Sequence, residues 1–419
     1  MKIWQKTEKQ KNNKLVEEFT VGNDYILDLQ LLPYDIEASI AHAKGLEKIG
    51  IFDAAELSKV EVALNQLQQN NLNGEIVITQ DDEDCHTYIE NYLTTKLGDL
   101  GKKIHTGRSR NDQVLVALQL YIQDHGKIIS KQVTKLAAKF KAIALQNIAV
   151  PFPGYSHAQQ AMITSLGHYF ASYYEALFDD DQFLKLVLEH ISQNPLGSAA
   201  GFGSNLPLDR EFTTQELGFK KLQINSLYCQ NSRAKFHSIF LEALTQIMLT
   251  IGTFADDMLL YTTKEFNYFS VTDEFTTGSS IMPQKKNQDV MELTRAKLSI
   301  LISNQLNIKM LAKSLPSGYN RDYQLLKQPL FDSTAIVSQT LAIMLEYLNG
   351  LKPNIETIQS KISTEILSAD IATELAQKEH IPFRDAYKLA LEKIPSTKID
   401  WQEKIKKHIS LGSSGNLGI

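Results

Sequence analysis

Residues 276–292 read TTGSSIMPQKKNQDVME, and the run from Gln288 to Leu315 that continues from them holds neither Gly nor Pro. Such a run has the composition of one long helix, so the stretch is a loop that delivers its residues to a helix start. Gly278, Ser279 and Ser280 make its beginning small and flexible, and Pro283 interrupts it. Lys285, Lys286 and Asn287 then bring two cations and a side-chain amide together. Small residues ahead of concentrated donors fit a loop that closes over an anion, with backbone N–H groups adding to the charge. The same residues also fit a polar surface loop ahead of a helix.

Other segments resemble the run after this loop. Asp112–Val150 is broken only by Gly126 and Ala158–Asn194 only by Gly167, while Phe219–Ile251 and Leu330–Asn349 hold neither Gly nor Pro. As helices of roughly 20–40 residues they would run about 30–60 Å, at ~1.5 Å per residue. Leu115, Leu118, Tyr121 and Ile122, and later Leu241, Leu244, Met248 and Ile251, have the spacing of packed helices. Five such rods bury their faces most economically in a long bundle. Shorter helical patterns occupy Asp35–Gly50 and Ser58–Gln69, and the one stretch with strand character is Glu75–Thr79. The expected fold is all-α, with three helical parts: 1–104, a central long-helix bundle at 105–352, and a small domain at 353–419.

Composition narrows the function classes. At 419 residues the chain exceeds one compact core. Its 43% hydrophobic and 22% charged residues are ordinary for a soluble protein, and a net charge of −5 offers no basic face for nucleic acid. No stretch approaches an uninterrupted membrane span, and the opening MKIWQKTEKQKNNK lacks the apolar core of a secretory signal. Cys85 and Cys229 form neither a disulfide framework nor a zinc pattern. A cytoplasmic location is expected.

Several motifs carry a family resemblance. GSSIMPQKKN, 278–287, resembles the signature of the fumarase/aspartase superfamily, and its Gln-Lys-Lys-Asn core is most similar to the argininosuccinate lyase branch. Gln288 stands where that branch usually has Pro. HTGRSRND, 105–112, is the branch's form of an element that contacts substrate carboxylates. On physical grounds Ser109, Arg110 and Asn111 offer donors where a long helix begins, an anion site compatible with capping by Ser109 or Asn111. DEDCHTYIE, 82–90, resembles the segment whose histidine, here His86, lies near the substrate; its acidic run also suits a helix N-terminus. GYSHAQQAM, 154–162, resembles the branch's Thr-His segment, with Ser156 and His157 at the pair, Gln159 beside them, and Met162-Ile163 replacing the usual Gln-Pro. In 315–332, LPSGYNRDYQLLKQPLFD, Tyr319, Gln324 and Lys327 match substrate-binding positions, and Arg321 replaces a lysine with a fork of donors. The segment 367–394 is similar to the branch's C-terminal domain.

The resemblance implies reversible elimination of fumarate from argininosuccinate, leaving arginine, with no metal or organic cofactor. It also implies a homotetramer whose active sites are shared between subunits, with no nucleic-acid or membrane partner. By the same resemblance Ser279 is the base, and His157 the acid or relay oriented by Glu292. Elimination takes a weakly acidic proton beside a carboxylate, so positive charge and donors are needed where the aci-carboxylate forms. Lys285 and Asn287 fit that need, with Asn111 and Ser156 as further donors. Two rivals share the scaffold: another fumarate-releasing lyase, and a catalytically silent structural protein.

Overall fold

The structure is a computed structural model that describes residues 13–394 and 399–419, so most of the polar N-terminal stretch lies outside the described residues. In chain order its principal elements begin with α1 (Lys14–Val21), α2 (Leu32–Lys48), α3 (Ala54–Leu72), α4 (Cys85–Leu97) and α5 (Arg110–Gln146). A hairpin follows, β1 (Pro151–Ser156) and β2 (Gln159–Ser165), and then α6 (Leu166–Ile191) and α7 (Arg233–Tyr261). The chain continues through α8 (Asp289–Ala312), α9 (Lys327–Gly350), α10 (Ser368–Lys378) and α11 (Phe383–Ala390). The fold is mostly helical, as the periodicity predicts.

The described residues form two compact units. One comprises 13–128, 183–244 and 301–335. Its core joins Ala38 and Ala41 of α2 to Val116 and Leu120 of α5, with Leu196, Leu217 and Phe219. Helix starts here are closed by side chains. Asp53 and Glu56 form a capping box on α3, and Asp84 accepts from the Thr87 N–H at the start of α4. Ser109 Oγ accepts from the Asn111 N–H at 3.2 Å as α5 begins. The fully buried Asp112 then accepts from the backbone N–H groups of Gly197 (3.0 Å) and Ala199 (2.9 Å). The Gly/Ser-rich connection at 195–210 is thereby tied to the helix it approaches.

The other unit comprises 129–182, 245–300 and 336–419, apart from 395–398. Aromatic rings fill part of its interior: Phe140 meets Phe254 edge-on at 5.1 Å and Tyr173 at 5.4 Å. Ile163 of β2 packs with Ile362, Ile366, Leu367 and Ile405, fastening the hairpin to the C-terminal helices.

Three expectations need correction. Residues 158–165 are not the start of a long helix but the second strand of a hairpin, and α6 begins only at Leu166. Burial of Met162, Ile163, Thr164 and Ser165 alternates with period two, and the partner strand supplies the backbone hydrogen bonds. Strand structure is absent from Glu75–Thr79, which is irregular. The third long segment begins at Arg233 rather than Phe219 and passes through Gly252 to Tyr261. Gly252 is tolerated because a Cβ there would come within 2.8 Å of the Leu298 side chain, a close approach that favours glycine. This helix, α7, is long and apolar enough to cross a membrane by composition, with a mean hydropathy of 1.4. Yet 61% of that apolar window is buried inside the protein, as in a core helix.

Candidate active site

In the first unit a cavity of about 180 Å³ gathers Arg110 and Asn111 from the start of α5 with Tyr319, Arg321, Gln324 and Lys327. Six of the expected substrate-binding residues therefore meet in one place, although some two hundred residues of chain separate the two groups. Ser109 caps the same helix start, half-buried.

The charges around this cavity are largely paired. Arg110 Nη1 lies 3.1 Å from Glu83 and 3.4 Å from Asp84, and its Nη2 donates to Thr87 Oγ1, so the acidic run before α4 anchors it. Lys327 Nζ reaches Asp28 at 2.6 Å and Asp24 at 3.2 Å. Burial works against the Lys327 charge, but Asp28 and Asp24 outweigh it and raise its pKa well above the ordinary ammonium value. Burial likewise pushes the Asp24 carboxyl up, with Lys327 pulling it down and Asp28 adding to the rise. Arg321 Nη2 donates to the Thr20 carbonyl at 2.8 Å, and Gln324 Nε2 donates to the carbonyls of Thr20 (2.9 Å) and Val21 (3.1 Å). Both side chains thus satisfy carbonyl groups at the C-terminal end of α1.

His86, expected near the substrate, stands behind the wall instead. Its ring is fully buried and Nδ1 lies 2.7 Å from Asp35 Oδ2. Burial disfavours its charged form, yet Asp35 outweighs burial and the His86 pKa is raised. The residue two before it, Asp84, lines the cavity. Asp28, Cys85 and His86 offer ligand atoms within 4.8 Å of one another, but Lys327 and Asp35 already engage the carboxylate and the imidazole. Burial, followed by the neighbouring aspartates, also pushes the Cys85 thiol well above its ordinary value. That donor set is poorly suited to a metal.

In the second unit the hairpin lifts Ser156, His157 and Gln159 to an exposed tip. Ser156 pairs with Gln159, and the two residues between them, His157 and Ala158, have φ of 54° and 59°. Positive φ at both central positions is what a tight two-residue hairpin needs, though Ala and His adopt it at a cost. The loop at 276–288 is pinned at its base. Thr277 and Asn287 exchange backbone hydrogen bonds at 3.2 and 2.9 Å, and the Asn287 amide donates to the Gly278 carbonyl at 3.3 Å. Thr277 Oγ1 also donates to Asp289, and Lys286 pairs with Asp273.

Inside that loop Ser279 Oγ accepts from the backbone N–H groups of Met282 (3.1 Å) and Ile281 (3.3 Å). Gln288, the departure from the usual Pro, accepts from Tyr347 OH at 3.0 Å and so ties the loop's exit to α9. Lys285 is exposed within the loop, and Glu292 is exposed on the first turn of α8, beside Asp289 and Arg295 at an open hollow. Among the described residues no hydrogen bond or ion pair joins Ser279, His157 and Glu292 to one another.

Asp24, Val114 and Arg233 line the cavity from outside the motifs, and the one cation among them is Arg233, the first residue of α7. A cation opening a long, largely apolar helix was the available clue.

Comparison with known proteins supplies the remaining context. A family described as "Lyase" matches residues 6–302. The argininosuccinate lyase of Thermotoga neapolitana is 42% identical over 378 residues, covering 90% of this chain and 95% of that protein. The argininosuccinate lyase of Phocaeicola vulgatus is 40% identical over 419 residues, covering 99% and 92%. Among solved structures, a fumarate lyase/delta crystallin from Brucella melitensis bound to cobalt has a TM-score of 0.76 at 19% identity, covering 90% of this chain and 87% of that one. A class II fumarase from Schistosoma mansoni has a TM-score of 0.74 at 16% identity, covering 93% of both chains. These two likenesses are likenesses of fold.

Proposed function

Since the chain belongs to the lyase family, and within it to the argininosuccinate lyases, we infer that it is a carbon–nitrogen lyase splitting argininosuccinate reversibly into L-arginine and fumarate. That is the last step of arginine biosynthesis.

In this mechanism Ser279 takes the proton from the succinyl carbon next to the one that bears nitrogen. An alkoxide in water is a poor resting species, so its charge has to be met by fixed donors. The N–H groups of Ile281 and Met282, at 3.3 and 3.1 Å from Oγ, are such donors. Proton removal builds a second negative charge on the adjacent carboxylate. Lys285 and the Asn287 amide answer it, with Ser109, Asn111 and Ser156 holding the carboxylates in position. His157 then hands a proton to the departing guanidino nitrogen, oriented by Glu292. The arginine end lies against Tyr319, Arg321, Gln324 and Lys327.

His157, Ser279 and Glu292 are not bonded to one another within one chain, which suits a homotetramer in which different copies supply them. Exposed apolar side chains along α8, Leu293, Ile300, Leu306 and Met310, give such copies a surface to pack on. A cytoplasmic setting suits the two free cysteines.

The observation that carries this reading is the Ser279 hydroxyl seated on two backbone amides inside a pinned loop, in a chain about 40% identical to argininosuccinate lyases. The test is absorbance in the fumarate band after mixing the purified protein with argininosuccinate. Wild type should release fumarate, and S279A should be slower by a factor on the order of 10²–10⁴. A folded wild type that releases none would refute it.

A further inference from the structure

Four cations line the cavity of the first unit; two are paired with carboxylates, and a third, Arg321, is exposed to solvent that screens its charge. Arg110 faces Glu83 and Asp84, Lys327 faces Asp24 and Asp28, and Arg321 donates to a backbone carbonyl. Arg233 differs. It is only 2% exposed, and among the described residues it makes no ion pair. Its Nε and Nη2 donate to the Gln230 side-chain carbonyl at 3.1 and 3.0 Å, and Nη2 also donates to the Asn111 backbone carbonyl. The Tyr319 and Tyr323 rings stand 5.1 and 6.0 Å away.

All these partners are neutral, and they orient the guanidinium without cancelling its charge. Asp112 acts on it only through space, because the Asp112 oxygens already accept from Ser109, Gly197 and Ala199. Nothing among the described residues accepts from Nη1. Position adds to the imbalance: Arg233 opens α7, where the helix dipole is itself positive. A buried charge is held at this cost when an anion completes it.

The cavity also carries carboxylates, Asp24 and Asp84. A wall with one buried guanidinium that has no acid partner, and with two acids that must share Arg110 and Lys327 with Glu83 and Asp28, matches a zwitterion. The succinyl half of the substrate carries only negative charge and would be repelled by the acids, whereas the arginine half presents an α-carboxylate beside an α-ammonium.

We propose that Arg233 anchors the α-carboxylate of the arginine half of argininosuccinate, with Asp24 and Asp84 facing its α-ammonium. This makes Arg233 a specificity residue, and it rests on the argininosuccinate reading above.

The experiment runs the reaction in the synthetic direction, following loss of fumarate with L-arginine or with agmatine, which lacks the carboxylate. R233Q should raise the KM for L-arginine about 10- to 100-fold, the loss expected for a charge-assisted hydrogen bond. It should leave the KM for fumarate unchanged. R233K, which keeps the charge but not the fork, should fall between R233Q and wild type. Agmatine should react equally poorly with wild type and R233Q. The proposal is overturned if the fumarate KM rises in parallel, if R233K is as impaired as R233Q, or if wild type uses agmatine as well as arginine. Wild type failing to release fumarate from argininosuccinate would instead bring down the reading beneath it.

Discussion

Lys327 and Asp28 form an ion pair in which both side chains are buried, Nζ to Oδ1 2.6 Å, at 3% and 0% exposure. Two opposite charges withdrawn from water are tolerable together and costly apart. K327Q, which strands Asp28, should therefore lose about 3–5 kcal/mol of unfolding free energy. The double variant D28N/K327Q should lose less than the sum of the two single changes. Denaturant titration of the four proteins measures both, and strict additivity would show that the pair is not energetically coupled.

His86 and Asp35 give a dependence on pH. The folded state raises the His86 pKa above its ordinary 6.5, chiefly through Asp35 and against the effect of burial. The folded state thus binds the proton more tightly than the unfolded chain. The resulting stabilisation is fully present below 6.5 and is lost as pH rises through the higher folded value. Thermal midpoints of the wild type should fall as pH climbs above neutral, while D35N should start lower and lack that component. Identical pH profiles for the two proteins would contradict the assignment.

The hairpin tip separates folding from chemistry. A158G relieves a Cβ held at φ 59° and should gain up to about 1 kcal/mol while keeping activity. A158V, β-branched in the same conformation, should lower the melting temperature. H157N keeps a residue type that accepts positive φ, so it should fold normally, yet turnover should drop by a factor on the order of 10²–10⁴. Melting curves and fumarate release, measured side by side, check all three.

A shared site predicts rescue between inactive proteins. S279A and H157N, each inactive alone, should regain part of the wild-type rate once their subunits have been exchanged by mild denaturation and refolding. Absence of rescue in verified mixed oligomers would mean that each site draws Ser279 and His157 from a single chain.

Legibility from sequence was uneven for physical reasons. Ser109 before α5 could be placed as a cap because a cap bonds to residues two or three positions away, and the acidic run ending at Asp84 could be placed at a helix start by its charge. The start and end of α8 were similarly plain from its freedom from Gly and Pro. Gly252 misled, since its tolerance depends on Leu298 of another helix. Residues 158–165 misled for the same kind of reason: a strand without Gly or Pro looks like a helix until its partner is known. His86 was assigned to the substrate from its motif, but its partner Asp35 lies 51 positions earlier and holds it inside.

The helical architecture and the chemical inventory are written in the order of residues: long uninterrupted runs, their apolar stripes, and short motifs carrying Ser279, His157, Lys285 and Asn287. Those properties are local, set by neighbours within a few positions. Which charges are answered and which are left open emerges with packing. Lys327 and Asp28 stand 299 positions apart, and Arg233 meets Asn111 across 122. Pairing over such distances depends on how helices pack rather than on the order of residues, so neither the buried ion pair nor the unanswered guanidinium could be seen before the chain was folded.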